Sequence, residues 1–315
     1  MGRDPFGQAL TARDRGSAGG LLLGLAGVAI FSFSFPATKL ALHGLDPWFI
    51  AFGRAALATA PAVAELRRRR APRPSRAQWR RLLIVVGGVV IGFPLLSSLA
   101  LTSTGSAHGA VVIAVLPAAT AVAAVLRAGE RPGPLFWLAA AAGAAIVTSF
   151  SVEHAGGELR LGDAYLLAAV VVCALGYAEG GALSRELGSV ETISWALVLA
   201  LPATLAVAAA TAPSSVPRAS AVAGFAYVGL GSMFVGFFAW YAGLARGGIA
   251  RVGQLQLLQP FLTIALSALV LGERIGRSTI GVAVAVLASV VVTQRARVAD
   301  RAPEVAAPFA ERPAD

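Results

Sequence analysis

A stretch of this chain occurs twice, and that repeat limits what it can fold into more than any single motif does. Residues 107–131 read AHGAVVIAVLPAATAVAAVLRAGER, and residues 250–274 read ARVGQLQLLQPFLTIALSALVLGER. Pro117 falls on Pro260 and Glu130 on Glu273 at a constant offset of 143 residues. Carried backward without a gap, the same offset sets Gly88 on Gly231, Leu101 on Leu244 and Gly105 on Gly248. The pattern predicts duplication of a whole multi-helix unit.

What kind of helix is duplicated follows from composition. Apolar residues make up 57% of the chain and charged residues 13%, against about 45–50% and about 25% in soluble domains. Apolar runs of about 20 residues, each long enough to cross a hydrocarbon core as a helix, recur along the length. Ten can be placed, at about 20–42, 47–65, 82–101, 107–127, 133–150, 164–184, 191–212, 220–244, 250–271 and 277–294. The predicted fold is therefore all-α and integral to the membrane, with the lipid bilayer as its surroundings. A segment at 1–19 precedes the first five-helix unit at 20–150. A loop at 151–163 leads to the second unit at 164–294, and a polar tail covers 295–315. The first apolar run is too long for a signal-peptide core and reads as an uncleaved span.

The net charge of +10 invites a nucleic-acid reading, but the cations are nearly all arginines in short loops. They report orientation instead. With the N-terminus in the cytoplasm, 20 Lys or Arg lie inside, 4 outside and 2 within spans. This places a multi-pass protein in the cell membrane, with both termini cytoplasmic. Five spans per unit is an odd number, so the second unit enters the membrane from the opposite side. Such inverted repeats are typical of secondary transporters, whose substrate site lies between the repeats near the midplane.

Residues for that site are sought where polarity interrupts an apolar run. Gln256 and Gln259 are three apart and share a helix face, which implies a neighbouring helix or a cavity. Tyr241, Tyr177, Ser97 and Ser98 add hydrogen-bonding groups that could face the same space. Pro117 and Pro260 sit mid-span and should kink their helices. Lys39, Arg54 and Glu179 stand inside apolar runs, where an ionised group is costly and needs a partner. Lys39 is close enough to the outer end to snorkel, and Arg54 lies within reach of Asp46 or of Lys39's neighbourhood; interfacial anchoring is the alternative for both. Glu179, flanked by glycines and with no Lys or Arg within five residues, is the deepest acid. Desolvation should favour its neutral form, so it either exchanges a proton or makes a structural hydrogen bond. Glu130 and Glu273, each followed by Arg, read as anchors of their helix ends. His43, His108 and His154 lie at the outer surface and read as solvated. The single cysteine, Cys173, excludes an intrachain disulfide and a thiolate metal cluster. No phosphate-cradling glycine loop, spaced metal-ligand set or catalytic triad is evident, so neither metal, cofactor nor catalysis is expected.

At this point the chain resembles the EamA family of the drug/metabolite transporter superfamily, over about residues 20 to 294. The resemblance rests on ten spans in two five-helix repeats, and on the Pro followed by Gly-Glu-Arg that closes each repeated stretch. Phe31 to Lys39, FSFSFPATK, is similar to that family's first-helix pattern in its aromatic, serine and lysine positions. It departs where Phe31, Ser32 and Ser34 replace Trp, Gly and Asn. Arg54 matches an arginine of the family's second span. The resemblance implies a carrier of small metabolites, amino acids or drugs, often outward, with no cargo specified. The expected function is an exporter working by alternating access, driven by a proton or substrate gradient. A membrane-embedded lipid-modifying enzyme and a non-transporting structural or regulatory protein are the rival classes.

Overall fold

The structure is a computed structural model that describes residues 5–128, 133–154, 160–247, 252 and 254–299. Every regular element among these residues is helical. The chain runs α1 (Pro5–Ser32), α2 (Ser34–Ala41), α3 (Pro47–Arg68), α4 (Arg76–Val85), a π-helix (Val86–Gly92), α5 (Phe93–Ser103), α6 (Ser106–Ile113), α7 (Leu116–Ala128) and α8 (Pro134–His154). It continues α9 (Leu161–Leu187), α10 (Ser189–Ala210), α11 (Ala219–Ala226), a second π-helix (Tyr227–Gly236), α12 (Phe237–Gly247), a 3₁₀ turn (Gln254–Leu258), α13 (Gln259–Leu271) and α14 (Arg277–Ala299). Seven stretches are long and apolar enough to cross a membrane, and Pro134–Ile146, Leu255–Leu271 and Arg277–Val292 are shorter apolar helices.

The 143-residue offset holds element by element. Shifted by it, the starts of α4, α7 and α8 fall on those of α11, α13 and α14, and the first π-helix falls inside the second. Both π-helices are glycine-rich, with Gly87, Gly88 and Gly92 in one and Gly229, Gly231 and Gly236 in the other. Such residues tolerate the wide turn that an inserted residue forces on a helix. The packing repeats too. Equivalent spans of the two units touch one another, through α3 on α10, α6 on α13, and α8 on α14. The third span of each unit also lies on the first span of the other, α5 and its π-helix on α9, and α12 on α1. Glycines allow these last two crossings. A Cβ at Gly88 would come within 2.6 Å of Gly176 Cα, and one at Gly243 within 2.8 Å of Gly24 Cα. Backbones this close gain dispersion contacts where lipid offers no hydrophobic driving force.

The prolines mark breaks between helices rather than mid-helix kinks. Pro117 and Pro260 each occupy the second position of a new helix, α7 and α13. The missing N–H costs nothing there, because the first turn has no intrahelical acceptor for it. The span before each proline ends instead, at Ala114–Val115 in one unit and in the 3₁₀ turn in the other.

Helix ends are closed by side chains. Asp46 caps α3 by accepting from Trp48 N at 2.8 Å and Phe49 N at 3.4 Å. Ser75 and Gln78 form a reciprocal capping box on α4. Glu273 reaches across the units to cap α6, accepting from Ser106 N and Ala107 N at 2.8 Å each. It therefore anchors a helix other than the one whose end it follows. Lys39 closes the preceding helix end, donating to Leu101 O at 2.6 Å and Thr104 O at 2.8 Å. Glu130 lies outside the described residues.

Candidate functional site

The two helix breaks meet. A narrow cavity of about 20 Å³ lies between them, lined by Pro117 and Leu116 from one unit, Gln256, Gln259, Pro260 and Thr263 from the other, and Phe31 and Phe35 from the first span. By this measure one water needs roughly 10–15 Å³, so the space holds one or two. Gln256, in the 3₁₀ turn, and Gln259, the first residue of α13, are three apart along a helical path and both line this space.

Gln256 is buried, and its amide nitrogen has no hydrogen-bond partner. Behind Phe31 stands an aromatic cluster. Phe237 lies edge-on to Phe31 at 5.1 Å and to Tyr177 at 6.2 Å, and beside Tyr241 at 5.6 Å. The Tyr241 hydroxyl is also buried without a partner. One turn further along α13, Thr263 donates to Ser32 O at 2.9 Å, tying the cavity wall to the point where α1 gives way to α2.

The arrangement suits solute binding between two like halves, and the comparisons identify the architecture. The EamA-like transporter family matches residues 18–151 and again 160–295. The chain belongs to this family. It is 50% identical over 281 residues to a Bacillus subtilis (strain 168) protein named "Uncharacterized transporter YdeK", covering 88% of this chain and 97% of that protein. A solved crystal structure, 18% identical, superposes with a TM-score of 0.61 over 87% of this chain and 96% of its own, and shares the fold. This is a membrane transporter of the drug/metabolite transporter superfamily, all-helical and multi-pass.

Within this EamA protein the other sought residues fall in separate places. Ser97 and Ser98 are buried but do not line the cavity; Ser97 returns its hydroxyl to Phe93 O at 2.7 Å, and the Ser98 hydroxyl has no partner. Tyr241 backs the cavity without lining it.

Glu179 does have a cation. Arg81, at the start of the third span, bonds it directly and also bonds Glu186. No Lys or Arg lies within five residues of Glu179 in the sequence, and its cation comes instead from another span. Arg54 forms no ion pair with Asp46, which caps α3. It donates instead to Ser232 Oγ at 3.1 Å. His108 is not simply solvated, since it lies 2.6 Å from the buried carboxylate of Asp163.

Reading the sequence for interrupted apolar runs found both glutamines but missed Phe31, Phe35, Thr263 and Ser232. Ser232 left a faint signal, a hydroxyl in an otherwise apolar and glycine-rich segment. The phenylalanines left none beyond their place in FSFSFPATK.

Proposed function

We propose that this chain is a secondary transporter, not an enzyme, that moves a small polar or amphipathic metabolite outward across the cytoplasmic membrane by alternating access. Ten spans form two five-helix repeats of opposite orientation, with both termini in the cytoplasm. One observation carries the reading: two proline-started half-helices, 143 residues apart, converge on one cavity that holds an unpartnered amide donor. Broken helices meeting between repeats are the usual form of a transporter site. A drug-sized solute needs roughly 300–1,000 Å³, so the narrow cavity is the closed stage of a cycle that opens when the units rock apart. Protons and the solute's own gradient are the available drives.

The reading is tested in proteoliposomes with a panel of small metabolites and dyes. Saturable flux of at least one solute, reduced about tenfold or more by Gln256→Leu in a protein that remains folded, is expected. Flux no greater than in protein-free vesicles, for every solute, ends the transporter reading. Flux that Gln256→Leu leaves unchanged ends the assignment of the cavity.

A further inference from the structure

Arg54 lies seven residues into α3, roughly 11 Å of helix travel from its start, and is 4% exposed. A guanidinium stays charged there and brings five N–H donors. Its Nη2 donates to Ser232 Oγ, while its Nε has no partner. None of the ion pairs among the described residues includes it. Ser34 Oγ donates to the same Ser232 oxygen at 2.8 Å. By donor and acceptor inventory, these three side chains bring seven polar hydrogens and two oxygens. A buried charge without a counter-ion is strongly unfavourable. The cluster therefore lacks a negative group, and none of the described residues supplies one.

We propose that Arg54, Ser232 and Ser34 form the anion site of the transported molecule, and that the anion is a monocarboxylate. One guanidinium balances one negative charge, whereas a phosphate dianion would leave the site as unbalanced as it is now. The cluster and the cavity share the first span. Phe31 and Phe35 line the cavity, Ser34 between them bonds Ser232, and the helix is interrupted at Phe33. A carboxylate on Arg54 thus leaves the rest of the solute against the two phenylalanines and the free donor of Gln256. Among the described residues the cavity wall carries no acidic side chain to receive an ammonium group, so the solute is a monocarboxylic acid with an uncharged, hydrogen-bond-accepting remainder rather than a zwitterion.

This inference rests on the transporter reading, and the test separates the two. Flux and thermal stabilisation of the full chain are measured for lactate and 4-hydroxyphenylacetate, for their amides, and for alanine and tyrosine. At least one acid should outperform its amide and its amino-acid counterpart about tenfold. Arg54→Gln should abolish that preference, and Arg54→Lys should retain part of it. Ser232→Ala removes the bridging hydroxyl but keeps the charge, and should weaken the acid several-fold and the amide by less. This variant also decides the matter should Arg54→Gln not fold. Amides or amino acids that match the acids, an acid preference that survives these substitutions, or no stabilisation by any compound overturns the carboxylate site. If the acids, amides and amino acids move alike, the transporter reading stands and only this inference falls. If the broader panel of metabolites also shows no flux, both fall.

Discussion

Glu179 and Arg81 carry opposite charges at a depth where neither is tolerated alone. Glu179 is 2% exposed, and the Arg81 side chain retains contact with the surface and with Glu186, itself well exposed. Removing the acid leaves a half-buried cation with a weaker partner. Glu179→Gln is therefore expected to cost roughly 2 kcal/mol, below the 3–5 kcal/mol of a fully buried broken pair because Arg81 keeps Glu186 and some water. Arg81→Gln should cost a similar amount. The double variant should cost clearly less than the two together, because the second change removes a charge already stranded by the first. Denaturation in detergent checks this, and strictly additive losses would show that the pair is not coupled. The acid was legible in the sequence because charge inside an apolar run stands out at once. Its partner was not, since Arg81 belongs to an arginine-rich stretch that reads as a loop and is brought to Glu179 only by the crossing of two spans. The same limit hid the cavity wall. Gln256 announces itself among leucines, while Phe31 and Phe35 look like any other membrane-helix residues until tertiary packing places them.

Element starts and stops were the more readable part. Apolar run length gave most helices to within a few residues, and the equal spacing of Pro117 and Pro260 marked where two of them change direction. What the sequence did not specify was how. Local glycines and a proline are compatible with a kink, a π-turn or a break, and the choice depends on which neighbouring helix takes up the freed carbonyls. Here each proline begins a helix, so its role is to stop the preceding one from running through. Pro117→Ala restores an N–H that can join α6 to α7, and Pro260→Ala does the same for the 3₁₀ turn and α13. Because each proline stands where it breaks no bond, either substitution should leave thermal stability within a few degrees of the parent. Each should nonetheless lower flux, and the two by comparable factors, since the breaks are equivalent in the repeat. A large stability loss, or a flux effect at one proline alone, would count against this account.

At the scale of the molecule, the repeated contacts and the charge bias make separate demands that a single orientation has to meet. Equivalent spans touch across the two units, and the third span of each lies on the first of the other, which is the pattern a two-fold relation produces. On the proposed five crossings per unit, that axis lies in the membrane plane, and the arginine-rich connection between α3 and α4 and the connection between α10 and α11 are expected to face opposite sides. The first should be cytoplasmic, because positive residues near span ends are retained inside. Cysteine labelling in intact cells decides this, and the parent background is low because Cys173 is buried. Ser75 is unsuitable as a reporter, since its hydroxyl caps α4. Arg73→Cys and Ser214→Cys are both exposed and outside the helices. An impermeant maleimide applied outside should modify Ser214→Cys within minutes and leave Arg73→Cys untouched until the membrane is permeabilised. The reverse pattern would invert the orientation while leaving the two-fold relation intact. Labelling of both from the same side would be more serious, because it would require an even number of crossings between them and remove the inverted repeat on which the central site depends.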